Sequence, residues 1–140
     1  MTPFIHDFMV DLRRGSAIQR GRRTLSQGDA LADQIVVRIA DGGKQIDLTG
    51  IGVSAKVIRG DGRTVPVVGT TEGNAAIVVL DADCYAVPGE IRVSVAISAG
   101  ETVQTVLVLL LNVDTSETDI VVDNGEIGDL SALLGAIAEL

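Results

Sequence analysis

At 140 residues the chain is sized for one domain with a real core, and a hydrophobic content of 46% excludes a disordered one. Aromatic residues make up only 2%, as Phe4, Phe8 and Tyr85 with no Trp. The core must then come from Val, Ile, Leu and Ala, and the stacking platforms used by single-stranded nucleic acid and glycan sites are missing. The net charge of −8 is uneven: Arg13, Arg14, Arg20, Arg22 and Arg23 crowd the start, where Asp7 and Asp11 also lie. From Asp81 onward eleven acidic residues face only Arg92. That polarity suits docking between copies, or of the basic segment on an acidic partner.

No leader with a basic start and an apolar core opens the sequence, because Asp7 and Asp11 interrupt it, so synthesis in a cytoplasm is expected. The apolar run Val106–Leu111 falls well short of a membrane span. Cys84 stands alone, which leaves no intrachain disulfide and no cysteine zinc site; it reads as a small apolar residue near a turn.

Along the chain, Phe8–Leu12 alternates weakly and is expected as a first or edge strand, and residues 15–21 as a loop. In Gln34–Ala40, Ile35, Val37 and Ile39 share one face, and Asp41-Gly42-Gly43-Lys44 has hairpin chemistry. Val53, Ala55 and Val57 line the next strand, which Gly60-Asp61-Gly62 turns into Thr64–Val68. Thr70–Asn74 reads as a turn before a strand at Ala75–Leu80. Val87-Pro88-Gly89 fits a type II turn leading into Glu90–Ser98, where Ile91, Val93, Val95 and Ile97 alternate with Arg92, Ser94 and Ala96. Ala99-Gly100-Glu101 closes a hairpin into Thr102–Val113.

Val106–Leu111 is apolar on both faces, so its outer face should be covered by another segment or another subunit. In Asp129–Leu140 the period changes: Leu130, Leu133, Ile137 and Leu140 form a helical seam, with Asp129 placed to cap it. A helix this short is marginal alone and must pack on its own domain or on neighbouring copies. The pattern predicts an all-β fold, an antiparallel β-sandwich with a short C-terminal α-helix. It divides into a basic N-terminal arm with an edge strand (1–23), the sandwich (24–115), an acidic linker (116–128) and the helix (129–140).

Little in the chain reads as chemistry. His6 has no nucleophile constellation to serve. Gly60-Asp61-Gly62 does not open a helix after a strand, so it is no phosphate loop. The acids between Asp114 and Glu126 lack the ordered spacing of a calcium loop and read as a solvated linker. No catalytic residue, cofactor or metal is expected.

The order Ser26-Gln27-Gly28-Asp29, then Ile35–Ile39, then Gly43-Lys44-Gln45-Ile46-Asp47-Leu48-Thr49-Gly50 resembles the N-terminal domain of tailed-phage baseplate upper proteins. Val53–Arg59 with Asp61-Gly62, and Ala86-Val87-Pro88-Gly89-Glu90, continue the resemblance over roughly residues 5–115. It implies an immunoglobulin-like sandwich serving as a virion attachment module that forms trimers and anchors other virion proteins. On that reading Val106, Val108 and Leu110, with Leu130, Leu133, Ile137 and Leu140, carry subunit contacts. Arg13, Arg14, Arg20, Arg22 and Arg23 dock a virion partner, and neither nucleic acid nor membrane is involved. The expected location is the virion, after synthesis in the host bacterial cytoplasm. Capsid decoration or a head-fibre base is the alternative within this class. Outside it stand a monomeric binding module of a bacterial surface system and, last, an enzyme.

Overall fold

The alternating runs around Ile35–Ile39 and Ile91–Ile97 become central strands of two β-sheets in the structure, a computed structural model that describes residues 2–14 and 17–115. In chain order the strands are β1 (Phe4–Asp11), β2 (Ala17–Arg20), β3 (Leu25–Ser26), β4 (Asp33–Asp41), β5 (Lys44–Gln45) and β6 (Gly52–Ile58). They continue as β7 (Thr64–Val68), β8 (Thr70–Glu72), β9 (Ala75–Val79), β10 (Gly89–Ala99) and β11 (Thr102–Asp114). The first sheet has the order β1-β4-β9-β8, with β5 beside β4; the second has the order β2-β11-β10-β6-β7, with β3 beside β11. The expected linker and C-terminal helix, including the seam from Leu130 to Leu140, lie outside the described residues.

The fold is all-β, but the expectation of a purely antiparallel sandwich is corrected: both sheets are mixed. β1 runs parallel to β4, and β2 and β3 run parallel to β11. The cause lies in the N-terminal residues. After β1 the chain crosses to the second sheet, lays down β2 and β3 along β11, and returns to start β4 beside β1. A parallel pair needs such a long crossover, whereas a tight turn can give only an antiparallel one. Residues 1–23, expected as a basic arm with an edge strand, thus supply strands to both sheets, and part of the segment expected as a loop, Ala17–Arg20, is one of them.

Between the sheets the core is almost wholly aliphatic, as the composition requires. Ile35, Val37 and Ile39 of β4 face Val93 and Val95 of β10 and Leu107 and Leu109 of β11 within one cluster, and Leu25, Leu48 and Tyr85 join it from short or irregular segments. Full burial of each large aliphatic side chain stabilises the fold by roughly 1.5–3 kcal/mol. Two local features depart from the alternation. Between Val95 and Ala96 the β10–β11 register shifts, so that Leu107 pairs with Val95 and Thr105 with Ala96. The bulge leaves Val106 unpaired and turns it inward beside Leu107. The other departure is Thr70–Glu72, expected within a turn, which forms β8 against β9 and leaves the reversal to Gly73-Asn74.

Gly69 carries the chain from β7 in the second sheet to β8 in the first. Its N–H donates to the Val53 carbonyl at 2.8 Å, and a Cβ there would stand 2.6 Å from the Ile77 carbonyl oxygen. Leu31, in the loop before β4, holds a left-handed backbone with φ 56°, an uncommon conformation for a residue with a branched side chain.

Candidate docking surfaces

The strongest polar constellation in the molecule is Asp33, fully buried at the start of β4. Its Oδ1 accepts from His6 Nε2 at 2.8 Å and from Arg23 Nε at 2.8 Å, and its Oδ2 accepts from the Tyr85 hydroxyl at 2.8 Å. Arg23 also reaches Asp29 at 3.4 Å. Burial alone would raise the Asp33 carboxyl, but the hydrogen bonds from His6, Arg23 and Tyr85, with the charge of Arg23, outweigh it and hold the group below the usual carboxylate range. Burial first, and then donation to Asp33, push the Tyr85 hydroxyl upward. His6 is 2% exposed, and its Nε2–H is committed to an acceptor that can only accept. The group ties β1, the segment after β2, β4 and the turn before β10 together. It has no nucleophile to activate.

Cys84 is likewise buried, and desolvation first, then the neighbouring Asp81, push its thiol up to about 12. Among the described residues no group of three His, Cys, Asp or Glu stands close enough to hold a metal ion.

The arginines expected to dock a partner have different surroundings. Arg13 pairs with Asp41 at 2.9 Å and Arg20 with Glu90 at 3.2 Å, both on the surface, while Arg14 and Arg22 are exposed. Arg23 belongs to the Asp33 cluster and is held by it. Asp11 accepts from the backbone N–H groups of Arg13, Gly42 and Gly43, which clasps the end of β1 to the β4–β5 turn. Those same backbone bonds, Arg13 first, lower its carboxyl.

Of the residues expected at a subunit contact, Val106 is a core residue, 1% exposed, and offers no outer surface. Val108 and Leu110 do face outward from β11, each half-buried. Ile18 of β2 pairs with Val108 and is itself exposed. Farther along this outer face are the exposed Val103 and Val68, beside a shallow depression of about 140 Å³ lined by Ser54, Lys56, Ser94, Ala96 and Thr105. A larger cleft of about 270 Å³ opens at the β6–β7 turn between Arg59, Arg63, Pro66 and Asp83. There Arg59 is engaged with Asp61 and with the Asp83 carbonyl. The hydrogen bond from Arg59, with that from the Arg63 backbone, lowers Asp61 to about 2.

The segments that carry the sequence resemblance turn out to be junctions. The Gln27 N–H donates to the Asp114 carbonyl and its side chain to the Ala86 carbonyl; Gly28, at φ 91°, donates to the Tyr85 carbonyl. Asp47 accepts from both the N–H and the hydroxyl of Thr49, and Leu48 between them is fully buried.

No family model matches the chain, and no curated protein matches it. Among solved structures, it is similar to the N-terminal domain of phage TP901-1 ORF48, with a TM-score of 0.48 and 12% sequence identity, over 81% of this chain and 99% of that one.

Proposed function

We propose that the chain is a structural protein of a phage virion, a non-enzymatic attachment module of the baseplate or tail-fibre type with an immunoglobulin-like sandwich. It forms a homotrimer and docks on or anchors another virion protein, after synthesis in the host bacterial cytoplasm. The observation that carries this reading is how the polar and apolar groups are distributed. Its most buried charged group, Asp33, is tied into bonds that fasten the fold, whereas Ile18, Val68, Val103, Val108 and Leu110 stand outward on the second sheet. An outward aliphatic surface on a β-sheet favours contact with another chain. The order of junction motifs from Ser26 to Gly50 supports the virion assignment. The exposed Arg14 and Arg22, flanked by Arg13 and Arg20, are the cations left for an acidic virion partner.

The test is the solution mass by light scattering across a dilution series, for the wild-type chain and for Val108→Lys with Leu110→Lys. A trimer that becomes a monomer in the variant, with the β-type circular dichroism retained, is the expected result. A wild-type monomer at every concentration sinks the trimer. If that monomer still binds purified particles, it becomes a decoration protein.

A further inference from the structure

An edge strand presents a row of backbone groups that can pair with another chain, and folds guard such edges by shortness, proline or charge. In the second sheet the guards are plain. β2 and β3 are four and two residues long, and β7 at the other edge carries Pro66. The Arg59 N–H donates to the Arg63 carbonyl and the Gly69 N–H to the Val53 carbonyl. Those bonds fix the β6–β7 ladder so that Pro66, opposite Lys56, turns its ring nitrogen to the outer edge. In the first sheet β8 has only three residues.

β1 is the exception. It has eight residues with neither proline nor glycine, and among the described residues it pairs with β4 alone. The Phe4 N–H donates to the Ala32 carbonyl, which sets the alternation along the strand. Phe4, His6, Phe8 and Val10 bond toward β4, while Ile5, Asp7 and Met9 turn their N–H and carbonyl groups to the open edge. The two acids of β1 are already engaged within the chain. Asp7 meets Arg38 at 3.6 Å, and Asp11 accepts from the backbone of Arg13, Gly42 and Gly43.

The strand is also complementary to itself. When two copies of β1 run antiparallel, edge-facing residues must oppose edge-facing residues. A twofold axis through Asp7 sets two Asp7 carboxylates face to face, and one through Met9 sets Asp7 against Asp11. Like charges directly opposite destabilise a strand pair. Axes through His6 or Val10 shorten the overlap. An axis through Phe8 pairs the strands over Ile5–Asp11 and sets each acid against an apolar residue, Asp7 opposite Met9 and Asp11 opposite Ile5. It also brings together the two half-buried Phe8 rings at the rim of the core, and aromatic pairs of this kind stabilise a sheet.

We infer that β1 pairs antiparallel with β1 of a second copy about a twofold axis at Phe8, joining two first sheets into one continuous sheet. The contact goes beyond the proposed trimer, which uses the outer face of the second sheet. A strand pair of this length falls short of the roughly 1,000 Å² of a self-sufficient interface. It therefore dissociates in dilute solution and holds copies that are already concentrated, as on a particle.

The test is disulfide capture in the full chain carrying Val108→Lys and Leu110→Lys, where the proposed trimer contact is removed. Phe8 faces its own copy in a non-hydrogen-bonded pair, with Cα atoms about 4.5 Å apart, within disulfide range. With oxidised glutathione at high micromolar protein, Phe8→Cys is expected to form covalent dimer about ten-fold faster than Glu72→Cys, an exposed site on β8 at the other edge of the same sheet. Adding Met9→Pro removes an edge-facing donor and no bond to β4, so it should abolish the excess and leave the melting temperature of the Phe8→Cys chain unchanged. Should Phe8→Cys fail to fold, an equimolar mixture of Asp7→Cys and Met9→Cys chains reports the same register from the outer surface. Met9→Cys alone, out of register, should then cross-link more slowly than the mixture. Capture no faster than Glu72→Cys overturns the inference, as does an excess that survives Met9→Pro or a mixture no faster than Met9→Cys alone. Because the trimer contact is absent throughout, failure of either idea leaves the other standing.

Discussion

Asp33 accepts hydrogen bonds from residues 10, 27 and 52 positions away in the sequence, and for that reason the alternation around Ile35 never exposed it. A carboxylate at the head of an apolar strand reads as the strand's polar boundary. Only the folded chain shows that Arg23, His6 and Tyr85 converge on it. The one available sign was indirect: a lone tyrosine in an otherwise aliphatic core needs a partner for its hydroxyl. Removing the charge and one of the two acceptor oxygens should be costly, since breaking a buried charge pair destabilises by about 3–5 kcal/mol. Asp33→Asn is therefore expected to lower the midpoint of urea unfolding sharply at pH 7. The pH dependence carries a sign. The folded pKa of Asp33 lies below its ordinary value of 3.8, so the carboxylate contributes stability above that value and loses it as pH falls through the lower, folded one. The gap between wild type and Asp33→Asn should be full at pH 7 and narrow below about pH 4. A gap that stayed constant down to pH 2 would show that the charge of Asp33 contributes nothing.

At the level of elements, the hairpins from Asp33 to Gln45, from Gly52 to Val68 and from Gly89 to Asp114 were all legible, because turn glycines bound clean alternation. Two elements were not. The bulge at Val106 has no compositional mark in a run where every residue is aliphatic, so a period of two placed that side chain outside. The short β8 was hidden because Thr70-Thr71-Glu72 carries no apolar pattern; its pairing with β9 is fixed by the crossing at Gly69. That crossing leaves no room for a side chain at Gly69. A Cβ would meet the Ile77 carbonyl oxygen and Val53 Cγ1, each at 2.6 Å, and both belong to strands fixed in the two sheets. Overpacking of this kind costs typically about 1–3 kcal/mol. Gly69→Ala should lower the melting temperature by several degrees, whereas Gly43→Ala, with nothing within 4 Å but a backbone at φ 87°, tests conformational strain alone. Equal effects of the two substitutions would mean that the close approach at Gly69 relaxes freely.

For the whole molecule, the N-terminal residues supply an edge strand to each of the two sheets. Charge made residues 1–23 read as a basic arm with an edge strand, because clustered arginines are the usual signature of a docking tail. The folded chain gives the same residues three structural tasks. β1 covers the long edge of β4, Val10 and His6 fill space between the sheets, and Arg23 neutralises Asp33. Deleting residues 1–11 would bare the nine-residue edge of β4, an apolar strand with one free side, which is the geometry that invites intermolecular pairing. It would also remove Val10, whose burial is worth roughly 1.5–3 kcal/mol against a typical domain stability of about 5–15 kcal/mol. His6 would be lost from the Asp33 carboxylate in the same step. The deleted chain is thus expected to lose its cooperative thermal transition and to aggregate at micromolar concentration, as read by circular dichroism melting and by sedimentation. A soluble product with an unchanged melting temperature would instead remove β1 from the stable core. The arginines alone can be tested more gently. Arg14→Glu with Arg22→Glu leaves every bond of the sandwich described above in place, so any loss of particle binding in that variant belongs to docking and not to folding.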